Sequence, residues 1–211
     1  MPGTVEWLPD AADTVTDLAV FGSESPMRKV TESVAFDDAW DADRRAKVQA
    51  LFDGMAADWS GGHGSPERSA PIIDALDRGA MPGGRVVELG AGSGLGTAEI
   101  VTRYDNVIAL DLSMAMLAEQ PELAPLVQGD ASALPFPDAS IDVLVLVNML
   151  LFPAEVDRVL TADGGLLWIN TMGHETPIHL PADAVVEALP GQWHARAGRA
   201  GTGTWAAVTR A

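Results

Sequence analysis

The 211-residue chain has no cysteine, and only thirteen Lys and Arg stand against thirty Asp and Glu. The first lack removes disulfides, thiolate metal sites and a Cys nucleophile. The second leaves a net charge of -17, which would repel a phosphate backbone, so nucleic acid is not the expected partner. No run approaches the ~20 apolar residues that a bilayer span needs, and Met1 to Asp10 lacks the basic-then-apolar order of a secretory signal. A cytoplasmic protein without membrane segments is the expectation. The four histidines, His63, His174, His179 and His194, never take the spacing of a helical zinc site, so no metal centre is expected.

What is present is a 47% hydrophobic chain long enough for one substantial core. Residues 1–40 read as an acidic arm with local helix, because charge interrupts every short apolar run there. Residues 41–211 read as the folded domain. In it Val48, Leu51, Phe52, Met55, Ala56 and Trp59 recur at helical steps. A second helix has Ser65 as N-cap candidate, Pro66 in its first turn, Ile72, Ile73 and Leu76 on its inner face and Gly79 as stop. Strand and helix then alternate. Strands are expected at residues 85–89, 106–110, 126–128, 141–147 and 166–170, with helices at 95–104, 113–119, 153–160 and 182–189. Residues 193–197 and 204–209 flank a Gly-rich turn and read as a hairpin. Such alternation predicts an α/β, doubly wound, Rossmann-like sheet of seven strands, mostly parallel with an antiparallel C-terminal hairpin strand.

The most informative segment is Glu88-Leu89-Gly90-Ala91-Gly92-Ser93-Gly94-Leu95-Gly96, a strand entering a Gly-rich turn and then a helix. Glycines let a ligand approach the backbone, and the amides at the helix start offer donors. The dinucleotide pattern G-x-G-x-x-G fails, because its last position falls on Leu95 or Thr97, and no Lys supplies a phosphate loop. Asp111 ends the next strand, where a carboxylate can take both ribose hydroxyls; it could instead cap the following helix, although Ser113 can do that itself. Asp130, in Gly129-Asp130-Ala131, can accept from an adenine amino group or be an ordinary turn residue.

Together these segments resemble class I S-adenosylmethionine-dependent methyltransferases, in the type 11-like group with the ubiquinone/menaquinone-biosynthesis enzymes. The likeness spans residues 52–171 and includes Val107-Ile108-Ala109-Leu110-Asp111-Leu112-Ser113, Asp130-Ala131-Ser132-Ala133-Leu134-Pro135-Phe136 and Leu160-Thr161-Ala162-Asp163-Gly164-Gly165. The resemblance implies S-adenosylmethionine as cofactor. Glu88 with Gly90, Ala91, Gly92 and Gly94 would hold its methionine end, Asp111 the ribose, Leu112 and Met116 the adenine faces, and Asp130 with the Ala131 amide the adenine edge. Asn148 would line the methyl-transfer site, and Trp59 would cover the cofactor or serve as a core anchor. Glu88 departs from the family, where Asp is more frequent. The short stretch at residues 171–181 leaves no room for an inserted substrate cap.

Direct displacement at a sulfonium needs alignment of the reacting atoms, and a base only where the acceptor must lose a proton. His174 is the candidate base, with His63 and His179 as alternatives, and each can equally be a loop histidine. The expected partner is a small-molecule acceptor, over a floor containing Met114, Met116, Met149 and Met172. Three alternatives stay open: a non-catalytic binder of S-adenosylmethionine or S-adenosylhomocysteine, an NAD-dependent oxidoreductase, and a homodimer in which the N-terminal arm of one subunit covers the site of the other.

Overall fold

The computed structural model describes residues 3–15, 26–59, 66–171 and 178–211, with the side chains of Pro26 and Trp59 excepted. Ser65, His63, Met172 and His174 lie outside the described residues. The elements are β1 (Thr4–Trp7), α1 (Pro26–Phe36), α2 (Ala42–Trp59), α3 (Pro66–Arg78), β2 (Arg85–Leu89), α4 (Leu95–Ile100), β3 (Asn106–Asp111) and α5 (Met114–Ala118). They continue with β4 (Leu126–Gln128), β5 (Ile141–Val147), α6 (Pro153–Val159), β6 (Leu160–Asn170), α7 (Ala182–Ala188), β7 (Trp193–Ala200) and β8 (Gly203–Arg210).

One sheet runs in the order β1-β7-β8-β6-β5-β2-β3-β4, and its only antiparallel pairings are those of β8 with β6 and β7. The expected doubly wound α/β sheet is therefore present. Its centre is β5, whose successive residues serve opposite layers: Leu144 and Leu146 pack with Val87, Leu89 and Leu110, while Val143 and Val145 pack with Val86, Ile72 and Ile100. The chain leaves β2 toward β3 on one side and returns to β5 on the other. A crevice opens at such a reversal, beyond the C-terminal ends of the two strands.

The strand count is corrected from seven to eight. Thr4–Trp7 adds an edge strand parallel to β7, with Thr4 opposite His194 and Trp7 opposite Ala197. No apolar alternation marked it, because three of its four residues are exposed. Backbone pairing holds it instead, and the pairing continues through Leu8 N to Ala197 O, Ala11 N to Arg199 O and Val15 N to Gly201 O. Side chains add the Thr4 hydroxyl against His194 Nδ1 at 2.7 Å and Arg199 stacked over the Trp7 ring at 5.1 Å.

Three further expectations shift in detail. The helix expected over residues 95–104 ends at Ile100 and gives way to turns. β6 begins at Leu160, not 166, because Leu160 pairs with Ile141 and Gly165 with Val143, so the intervening residues bulge out of the ladder. The apolar face of α2 is only partly a core face: Ala56 is buried, but Leu51 is 47% exposed, and Val48 and Phe52 line a cleft. Among the described residues no helix is long and apolar enough to cross a membrane.

Candidate functional site

The cleft lies at the reversal point, where the glycine loop, the ends of β2 to β5 and α2 line it together. At its base is Glu88, near the end of β2 and only 1% exposed. Its Oε2 accepts a hydrogen bond from the Thr97 hydroxyl at 2.5 Å. Its Oε1 lies so close to Gly96 that a Cβ there would stand 2.0 Å away, so any larger residue in this first turn of α4 would displace the Glu88 carboxyl. Burial pushes the Glu88 carboxyl up to about 8; the Thr97 hydrogen bond opposes this and the charge of Asp111 adds to it. A buried carboxylate with one side-chain hydrogen bond is suited to a cationic partner.

Asp111 closes β3 and ties the strand end to the glycine loop. Its Oδ2 accepts from the Gly92 amide and its Oδ1 from the Ser113 amide, each at 2.8 Å. Gly92 reaches that contact with a φ of 53°, a conformation that glycine adopts without strain. Ser113 caps α5, its hydroxyl accepting from Met116 N at 3.1 Å, so the helix does not need Asp111 as its cap. Burial raises the Asp111 carboxyl from its ordinary value, against the amides of Ser113, Gly92 and Leu112, while Asp53 adds to the rise. Asp111 lines the cleft, and three backbone amides leave its carboxylate acceptor capacity to spare.

Asp130 stands at the far end. Its Oδ1 accepts from Ser132 N at 2.9 Å, its Oδ2 from the Trp40 indole N–H at 3.2 Å, and Arg45 lies 3.9 Å away. Leu112, Met116, Ala91, Gly90 and Ala131 also line the cleft. Gly94 does not; it precedes α4 with a φ of 93°. The structure says nothing of Trp59's side chain or of His174. His179 is buried outside the lining, where its carbonyl accepts from Arg28.

Asn148 lines the cleft, but its amide is already committed. Its Nδ2 donates to the Thr171 hydroxyl at 2.8 Å and its Oδ1 accepts from Thr171 N at 2.9 Å, which clamps the ends of β5 and β6 together. Asn148→Ala is expected to lower unfolding stability by about 1–3 kcal/mol through the Thr171 groups left unpaired, as a denaturant titration would show.

Two of the lining residues that were not singled out from the sequence carry polar groups into the site. Trp40 follows the acidic pair Asp37-Asp38, and an indole N–H among carboxylates was the available signal. Arg68, in α3, is the only cation among the described residues lining the cleft. Its buried Nε has no hydrogen-bond partner, and burial lowers its pKa from the usual value. Its signal was a basic residue standing 22 positions before the first loop glycine in an acid-rich chain.

Fold and cleft together define the class: a nucleotide-type site at the reversal point of an eight-stranded sheet, with carboxylates at the ends of successive strands. The family described as "Methyltransferase domain" matches residues 87–167. A demethylmenaquinone methyltransferase of Beutenbergia cavernae is 42% identical over 78 residues, which is 35% of this chain and 31% of that protein. A malonyl-[acyl-carrier protein] O-methyltransferase of Halorhodospira halophila is 38% identical over 108 residues, 44% of this chain and 36% of that protein. The structure of DhpI with SAH has the same fold, at a TM-score of 0.62 and 18% identity over 77% of this chain and 94% of that one. The chain spans less than half the length of the curated relatives it matches. The resemblance to class I S-adenosylmethionine-dependent methyltransferases is thus borne out over residues 87–167, and the cofactor of that class is S-adenosylmethionine.

Proposed function

We propose that the protein transfers a methyl group from S-adenosylmethionine to a small-molecule acceptor in this cleft. The observation that carries the reading is one cleft lined by the buried carboxylate of Glu88, by Arg68 with its unpaired Nε, and by the two further carboxylates Asp111 and Asp130. Their chemistry suits the parts of the cofactor. Glu88 takes the methionine ammonium. Arg68 takes the methionine carboxylate, which lies only one carbon from that ammonium. Asp111 accepts from the ribose hydroxyls, Leu112 and Met116 cover the adenine faces, and Asp130 with the Ala131 amide reads its edge. Gly90, Ala91 and Gly92 let the backbone close on the sulfonium end.

Bound there, the cofactor supplies an activated methyl group, which passes to an acceptor lone pair as sulfur keeps the electrons of the broken bond and the acceptor proton leaves to water. The chain's own contribution is alignment and exclusion of water by Val48 and Phe52 of α2 and by the loop after β5. His174 remains the proposed base for acceptors that must lose a proton early. The relatives' names point to a quinone precursor in one case and a carrier-bound malonyl group in another, and both are acceptors to try.

The test is acceptor-dependent release of S-adenosylhomocysteine. Binding without release from any acceptor would make the protein a cofactor-binding accessory subunit. Arg68→Met is expected to weaken S-adenosylhomocysteine binding about 10- to 100-fold, the loss of a charge-assisted pair. Its apo form should melt at the same temperature or higher, since the variant removes a part-buried side chain whose Nε is desolvated without a partner. An unchanged affinity would detach Arg68 from the cofactor.

A further inference from the structure

We propose that Gln120 is a positioning residue for the cofactor: from the far end of α5 it holds the glycine loop in its binding shape, and Gly94 lacks a side chain so that Gln120 can reach that loop. The proposal rests on the methyl-transfer reading above. It adds to that site a residue that does not line the cleft.

Gly92 is gripped on both of its polar groups. Its amide donates to Asp111, which precedes α5, at 2.8 Å. Its carbonyl accepts from Nε2 of Gln120, which follows α5, at 3.3 Å. One short helix thus brackets a single loop residue from its two ends. Between them lies Met116, whose Cε would stand 3.2 Å from a Cβ on Gly92. A glycine with a φ of 53° has many other conformations open to it, so its shape before a ligand arrives is set by what its amide and carbonyl bond to.

Gln120 is itself firmly placed. Its amide donates to Leu117 O at 3.1 Å, Pro121 restricts its backbone, and the residue is only 8% exposed. Its side chain runs along the loop, where a Cβ on Gly94 would stand 2.4 Å from Gln120 Cγ. The sequence suggested Gly94 as a cofactor contact, yet it does not line the cleft. The space left by its missing side chain is filled by Gln120.

Packing alone does not account for a glutamine here. Its Oε1 is buried and has no hydrogen-bond partner among the described residues, which costs stability. A methionine would fill a similar volume without burying an unsatisfied acceptor. What the amide supplies and a thioether does not is the bond to Gly92 O, and that bond serves the loop. A loop already ordered binds its ligand more tightly, because less ordering is left to accomplish on binding.

The experiment combines three measurements on wild type, Gln120→Met and Gln120→Leu: amide hydrogen exchange read by mass spectrometry on the ligand-free protein, its thermal melt, and calorimetric titration with S-adenosylhomocysteine. The two variants fill the space with different apolar shapes, so a loss shared by both belongs to the amide. In each, the amides of residues 90–96 should exchange about tenfold faster while the rest of the sheet is unchanged, and S-adenosylhomocysteine should bind about tenfold more weakly. Gln120→Met should melt at the wild-type temperature or above it. Unchanged exchange over the loop in both variants overturns the proposal, as does binding within twofold of wild type. Variants that melt lower and exchange faster throughout the sheet, or do not fold at all, assign Gln120 to packing and overturn it equally. Failure of S-adenosylhomocysteine to bind the wild type would instead bring down the methyl-transfer reading, and the exchange measurement would still decide whether Gln120 holds the loop.

Discussion

Asp111→Ala is expected to weaken S-adenosylhomocysteine binding by about 30- to 1000-fold, or about 2–4 kcal/mol, the worth of two charge-assisted hydrogen bonds. The size follows from two roles in one side chain. Its free lone pairs are proposed to accept the ribose hydroxyls, and its remaining ones hold Gly92 and Ser113 in place. Removing it therefore loosens the glycine loop as well as the nucleoside. Asp111→Asn separates the roles, since one amide oxygen can still accept from Gly92 while the charge is gone. Calorimetry on both variants, with a thermal melt of each apo form, reads the two contributions. Binding within threefold of wild type in Asp111→Ala would remove the ribose from this position.

The second large effect concerns Glu88 and pH. The melting temperature of the ligand-free protein should fall as pH rises from about 5 to 8, and Glu88→Gln should flatten that fall. The sign follows from proton counting. In the folded protein the carboxyl titrates near 8, because burial outweighs the Thr97 hydrogen bond, whereas in the unfolded chain it titrates at the ordinary value of 4.5. Between these the folded state holds the extra proton. Stability from this group is thus complete below the unfolded pKa and is lost as pH rises toward 8, at up to about 1.4 kcal/mol per pH unit. Glu155 works oppositely, since Arg158 holds its carboxyl below the usual range, and it sits on α6 in both proteins, so it drops out of the comparison. Equal slopes for wild type and Glu88→Gln would show that the carboxyl is ionised when folded. A ligand ammonium should reverse the trend, making the stabilisation given by S-adenosylmethionine grow with pH over the same window.

The parts of the molecule that were readable in advance are those where one residue type has one physical use. The run Ile141 to Val147 could only be a strand covered on both faces, and it is the sheet centre. Gly90 to Gly96 could only be a tight turn into a helix. The competing use of Asp111 as a helix cap was resolved by Ser113, whose hydroxyl occupies that position.

The unreadable parts depend on pairing across great sequence separation. Thr4–Trp7 has no pattern of its own, because an edge strand with exposed side chains is specified by the backbone of its neighbour. Trp40 looked like a residue of a solvated arm, and only the approach of Asp130, 90 positions later, gives its N–H a purpose. Arg68 was invisible for the opposite reason. Its informative property is a missing partner, and a sequence does not display vacancies.

The pairing of β1 with β7 joins Thr4 to His194, 190 positions apart. A ribosome adding about 5–20 residues per second would leave the first strand without its neighbour for roughly 10–40 s. Trp40 rests instead on Asp130 and Phe152, which emerge well before the last hairpin. The cofactor cleft, made from β2 to β5, can take shape well before then. During synthesis the cleft would thus be in place before the first strand finds its neighbour.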